Sequence, residues 1–245
     1  VAFCFSGCAD FFEQTVTIEL PEHEPALSVT ANFAAGDTTL RVYVSHSQGI
    51  LDNLPPDTID DASVQIFKDD QPFVTLPFSG NRFYTLNLPA SLPAEPSTYT
   101  LKINAPGYEP IEAVQVMPAA VPILSATYEV DGTIDPEGNK ADELVVEFQD
   151  PAGVENFYSL EVEVVTDTMD YSGIFFDALD VITEHYNFSG YLLPDATFDG
   201  KKYSWRFSAN LYEESEITHL RVRLRSISRD AYLFLKSSGL SEEAD

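Results

Sequence analysis

Arg221, Arg223 and Arg225 recur at every second position, out of phase with Leu220, Val222 and Leu224. On a strand that spacing puts the guanidinium groups on one face and the aliphatic side chains on the other. Arg206, alternating with Trp205 and Phe207, is expected to join the row. Guanidinium forks grip carboxylate or sulfate bidentately, so such a row could hold an anion. It could equally pair across strands with Glu161 and Glu163, each pair contributing about 0.2–1 kcal/mol. A second cluster, Asp131, Asp135, Glu137, Asn139 and Asp142, crowds one turn-rich segment. Oxygen ligands at alternate positions suit Ca²⁺, which accepts about six to eight of them. The twelve-residue Ca²⁺ loop needs Gly at its sixth position, which is missing here, so a solvated hairpin loop competes with the metal reading.

Six aromatics fall in residues 171–191: Tyr171, Phe175, Phe176, Tyr186, Phe188 and Tyr191. Gly173 and Gly190 flank them, and their spacing follows no clean period. The segment is expected to form a contact loop for a protein partner or a ligand, since aromatic rings anchor interfaces and stack on sugars. The competing reading sends half of these rings into a core.

Catalytic templates mostly fail, although an acidic β-protein offers many carboxylate pairs that stay open as acid–base candidates. No G-x-S-x-G elbow supplies a nucleophilic Ser and no H-E-x-x-H supplies a zinc site. His23, His46, His185 and His219 are scattered, and no two share metal-ligand spacing. The expectation is a non-catalytic chain without a cofactor other than a covalent lipid.

That lipid is expected on Cys8. Val1-Ala2-Phe3-Cys4-Phe5 is apolar, and Ser6-Gly7 precedes Cys8. The run reads as the tail of a secretory signal peptide whose charged start is missing. Phe5-Ser6-Gly7-Cys8 resembles a bacterial lipobox, in which the Cys becomes the first mature residue and is acylated. Each buried CH₂ contributes about 0.8 kcal/mol, and stable anchoring needs more than one acyl chain. Acids follow soon after, in Asp10-Phe11-Phe12-Glu13, like the export signals that send Bacteroidetes lipoproteins to the outer face of the outer membrane. The plainer alternative is an ordinary apolar strand start with two incidental thiols.

The positioning elements are strands. Leu40, Val42 and Val44 alternate with Arg41 and Tyr43; Val64 and Ile66 with Ser63 and Gln65; Leu101 and Ile103 with Thr100 and Lys102. Gly36-Asp37, Ser79-Gly80-Asn81 and Pro106-Gly107 punctuate them. Longer strands are predicted at 123–130, 143–149, 157–166, 203–211 and 217–228, with one short helix over Ile174–Tyr186. Met117-Pro118-Ala119-Ala120-Val121-Pro122 has the composition of a stiff linker. The expected organisation is a signal-peptide remnant at 1–7, a lipidated tether at 8–15, a β-sandwich at 16–118, a linker at 119–122 and a β-rich domain at 123–245. The fold class is all-β: two β-sandwich-like domains, the first Ig-like or prealbumin-like, the second a larger antiparallel domain.

Charge narrows the partners. The chain has 245 residues, 44% hydrophobic, with 13 Lys+Arg against 40 Asp+Glu and a net charge of -27. Phosphate backbones repel such a chain, so nucleic acid is excluded as a partner. The acidity is concentrated: residues 1–200 hold 5 basic and 33 acidic side chains, whereas 201–245 hold 8 and 7.

Four features carry a resemblance to a known family. They are Pro25-Ala26-Leu27-Ser28-Val29 before Val42-Tyr43-Val44-Ser45; Asp61-Ala62-Ser63-Val64 followed by Tyr99-Thr100-Leu101 and Ala105-Pro106-Gly107-Tyr108; Asp150-Pro151 with Phe157-Tyr158; and Phe198-Asp199-Gly200-Lys201 with Leu224 to Tyr232. In this order they resemble an uncharacterised Bacteroidetes lipoprotein family, domain of unknown function 4249. The resemblance implies a two-part β-rich lipoprotein beside SusCD-like TonB-dependent uptake systems. It also implies an Asn-Pro-rich and Gly-rich closing segment beyond Asp245, so the C-terminal domain is expected to be truncated here. The functional expectation is an accessory subunit of an outer-membrane transport complex, lipid-anchored at the cell surface. The alternative is a free-standing surface glycan- or peptide-binding lipoprotein.

Overall fold

A computed structural model describes residues 23–49, 57–166, 170–171, 176–187, 190–209 and 217–242. Cys4, Cys8, Phe175 and Phe188 lie outside the described residues. The first half contains β1 (Leu27–Ala31), β2 (Thr39–His46), β3 (Ser63–Lys68), β4 (Gln71–Leu76), β5 (Phe83–Asn87), β6 (Ser97–Asn104) and β7 (Ile111–Met117). They form two antiparallel sheets, in the orders β1-β2-β5 and β4-β3-β6-β7. The alternation read from sequence is the packing rule here. Leu40, Val42 and Val44 of β2 are buried with Val64 and Ile66 of β3, while Arg41 and Gln65 face water.

Two local devices pin this half. Asp69 and Asp70 both take positive φ, 49° and 63°, between the paired residues Lys68 and Gln71, the geometry of a tight hairpin turn matched to strand twist. Buried Tyr84 donates its hydroxyl to the Ile59 carbonyl (3.0 Å) and accepts from the Ala62 N–H (2.8 Å). The loop before β3 is thereby tied to the core.

The second half contains β8 (Ile123–Ile134), β9 (Lys140–Gln149), β10 (Phe157–Thr166), β11 (Asp170–Tyr171), β12 (Asp177–Ala178), β13 (Glu184–Asn187), β14 (Gly190–Pro194), β15 (Lys202–Ala209), β16 (Ile217–Ile227) and the helix α1 (Arg229–Glu242). One antiparallel sheet runs β12-β15-β9-β8. In the other, β10 pairs with β16 along its length, with β14 at its start and with β11 at its end; β13 follows β14. Leu144, Val146, Phe148, Trp205 and Phe207 from the first sheet pack on Tyr158, Leu160, Val162, Val164 and Tyr191 from the second. This core shares no residue with that of the first half.

The helix is misplaced in the sequence reading. Instead of a helix over Ile174–Tyr186, the described part, from Phe176, holds β12, a turn and β13. Asp180 Oδ1 accepts from the N–H groups of Ile182 (3.1 Å) and Thr183 (2.8 Å), a local bond that competes with helix propagation. The helix instead follows β16. Ser228 Oγ accepts from the Ala231 N–H (3.2 Å) as an N-cap, and Asp230 stands in the first turn, where the helix dipole favours a carboxylate. Tyr232 and Leu235 seat α1 on Phe157 and Leu192.

Candidate functional site

Two loops meet at one end of the second sandwich, residues 150–156 between β9 and β10 and residues 195–201 between β14 and β15. The pairing of β9 with β15 brings them together: Gln149 stands opposite Lys202. Asp150 follows β9 and Asp195 follows β14, each buried, with 2% and 3% of their surface exposed. Asp199 is exposed, yet one carboxylate oxygen from each of the three lies within 4.8 Å of the others.

The carboxylates are held by donors from the opposite loop. Gly200 N–H donates to Asp150 Oδ2 (2.8 Å), Gly153 N–H to Asp199 Oδ1 (2.7 Å), and Asn156 N–H to Asp195 Oδ2 (2.8 Å). Tyr158 donates its hydroxyl to Asp150 Oδ1, and Asn156 Nδ2 adds a longer bond to Asp195 Oδ2 (3.3 Å). The loops also touch: a Cβ on Gly200, whose φ is +70°, would stand 2.6 Å from the Cβ of Ala152. Any side chain at 200 would force them apart.

The electrostatics match this crowding. Burial pushes the Asp195 carboxyl above the ordinary carboxylate range, and the charges of Asp150 and Asp199 push it further, against the Asn156 N–H. Burial and the hydrogen bond to Asp150 together raise Tyr158 well above a free phenol. Among the described residues, Asp150, Asp195 and Asp199 are the acids whose ligand atoms converge closely enough for one cation. Three carboxylates supply about half of the oxygens that Ca²⁺ takes. As it stands, the arrangement cross-links two loops through charge-assisted hydrogen bonds.

The acids expected to gather where β8 turns into β9 do not converge on one point. Asp142 Oδ1 accepts from the Asp131 N–H (3.0 Å) and its other oxygen takes the Tyr128 hydroxyl, while Lys140 stands 3.9 Å from Asp131. Asp135 is turned to Asn139, accepting from its N–H (2.7 Å) and its Nδ2 (3.2 Å). The Asn139 N–H holds the Asp135 carboxyl below its usual range. Glu137 is exposed. The segment is a hairpin turn.

The arginine row is resolved as cross-strand pairing. Arg221 and Arg223 both reach Glu163, at 2.6 and 3.2 Å, and Arg225 reaches Glu161 at 2.6 Å. Only Arg221 stands directly opposite its partner; Arg223, opposite Glu161, and Arg225, opposite Ser159, reach diagonally to Glu163 and Glu161 on the same face. Arg206 does not join them. It lies on β15 in the other sheet and pairs with Glu143 of β9.

Two of the six aromatics expected at a contact surface are corrected. Phe176 and Tyr191 are fully buried, not exposed. Tyr191 donates its hydroxyl to the Phe176 carbonyl (2.7 Å) and accepts from the Phe176 N–H (3.0 Å), and its ring packs on Phe207. Tyr186 is half-buried under α1 with its hydroxyl 3.3 Å from Glu161, its pKa pushed up to about 12 by burial and then by that carboxylate. Tyr171 belongs to β11, opposite Val164.

Sequence reasoning passed over Asp195 and met Asp150 and Asp199 only inside the motifs of the family resemblance. The available signal was positional: Asp150 and Asp195 each stand immediately after a strand.

Two antiparallel sandwiches, with a helix on the second and a carboxylate-stapled loop pair at its end, define an all-β protein. The chain matches the family described as Domain of unknown function (DUF4249) across residues 13–244, and it belongs to that family. No curated protein matches it.

Proposed function

We propose that this chain is a non-catalytic cell-surface lipoprotein, acylated on Cys8, that serves as an accessory subunit of an outer-membrane SusCD-like TonB-dependent transport complex. The lipobox-like Phe5-Ser6-Gly7-Cys8 supports the anchor. One observation carries the subunit reading. Among the described residues, β7 and β8, consecutive in the chain, are each the edge strand of their sheet. β7 exposes every residue from Glu112 to Val116, with Val114 and Val116 more than half exposed at 58% and 53%. Leu124, Val130 and Ile134 of β8 are exposed as well. A bare apolar edge is a pairing hazard for a protein that stays alone and a ready contact for one that lives in an assembly. The charge of -27 disfavours a second copy of the same chain and favours a partner of opposite or neutral surface.

The alternative is a free-standing surface glycan- or peptide-binding lipoprotein; the burial of Phe176 and Tyr191 removes two expected contact rings from both readings alike, and the exposed edge strands favour the subunit. The test replaces Val114 and Val116 by Lys in the full chain, expressed in its own host and extracted in mild detergent. The proposal expects a TonB-dependent barrel to co-purify with the parent protein and to be depleted at least tenfold with the variant. Equal yields would move the contact elsewhere, and a parent protein that brings no barrel would end the subunit reading.

A further inference from the structure

We infer that the two sandwiches form one rigid body, with α1 bracing the joint between them. The connection is short and fixed at both ends. Met117 packs on the first core, whereas Val121 and Ile123 pack on the second, leaving three residues between. Within those three, Pro118 has a locked φ and the Ala120 N–H donates to the Ala94 carbonyl of the first sandwich (2.9 Å). Pro122 locks the step into β8. The connecting segment is thus attached to both bodies and has little freedom of its own.

A second attachment crosses the joint through α1. Gln115 Nε2 donates to Asp230 Oδ2 (3.0 Å), and Gln115 Oε1 accepts from the Val116 N–H (3.3 Å), so both ends of that amide are held. Asp230 is in turn carried by a helix bound firmly to the second sandwich. The Tyr232 ring lies 4.7 Å from that of Phe157, and Glu184 accepts from the Tyr232 hydroxyl (2.8 Å) and from Lys236 (2.6 Å). Two attachments on different elements remove the swing that a single flexible tether would leave. A partner would then meet both sandwiches at one fixed angle.

Distance measurement between spin labels tests this. Labels go on the exposed positions Thr75→Cys in β4 and Val181→Cys in the second sandwich, in a chain with Cys4→Ser and Cys8→Ser. The parent should give one narrow distance distribution. Adding Gln115→Ala, Asp230→Ala, Pro118→Gly and Pro122→Gly should broaden it to at least twice the width, with the circular dichroism of the strands unchanged. A broad distribution in the parent, or an equally narrow one in the variant, overturns the inference. If the combined variant loses its strand signal, Gln115→Ala alone is read instead: broadening supports the brace, and an unchanged width refutes it.

Discussion

Tyr158 gives its hydroxyl hydrogen to Asp150, and both side chains are buried at the point where two loops close the second sandwich. The bond joins the first residue after β9 to the second residue of β10, so it fixes the turn between them. Removing the hydroxyl leaves a buried carboxylate oxygen without that donor. Tyr158→Phe should therefore lower stability by about 1.5–3 kcal/mol, the usual worth of a hydrogen bond to a charged group. Urea unfolding measures it, and a midpoint equal to the parent's would show that Asp150 does not depend on Tyr158.

Asp195 predicts a pH effect. Its folded pKa is raised above the unfolded value, chiefly by burial and then by Asp150 and Asp199. The folded state therefore holds its proton more tightly, and stability falls as pH rises from the ordinary carboxylate range through the raised value. Asp195→Asn keeps an acceptor for the Asn156 N–H and removes one of three clustered charges. It should flatten the dependence of Tm on pH over this window and leave stability at pH 7 equal to the parent's or higher. A marked loss at pH 7 would mean that the negative charge itself is needed there, as it would be around a bound cation.

Phe176 and Tyr191 should behave as core residues. Phe176→Ala is expected to cost about 3–5 kcal/mol, as large-to-small changes at buried aromatics do. Tyr191→Phe should cost about 1–3 kcal/mol, because the backbone N–H and carbonyl of Phe176 both lose their partner. Chemical denaturation checks both, and variants as stable as the parent would return these rings to the surface.

Much of this architecture could be read from side-chain period. Leu160, Val162 and Val164 alternate with Glu161 and Glu163, and the phase alone places the first set in the core and the second beside the arginines. The helix could not be read that way. Arg229–Glu242 contains Ser237, Ser238 and Gly239, weak helix formers, and it is stabilised by docking through Tyr232, Leu235 and Lys236. The stretch from Phe176 to Asn187 misled for the opposite reason, since its apolar residues serve short strands and a turn organised by Asp180. The three aspartates were invisible as a group because residues 45 and 49 positions apart meet only through the register of β9 with β15 and of β10 with β14. A one-residue slip there would dissolve the cluster.

The anchor has its own test. Mass spectrometry of the mature protein should find Cys8 as the first residue and carrying acyl chains. An unmodified peptide running from Phe3 through Cys8 to Asp10 in mature protein would contradict lipidation.

The subunit reading is tested most directly by the mass of the particle extracted from native membranes. Native mass spectrometry of the tagged, full-length protein in mild detergent should show it bound in a defined ratio to an outer-membrane barrel of the TonB-dependent class. A particle with the mass of the lipidated chain alone, under conditions that keep other outer-membrane complexes intact, would contradict it.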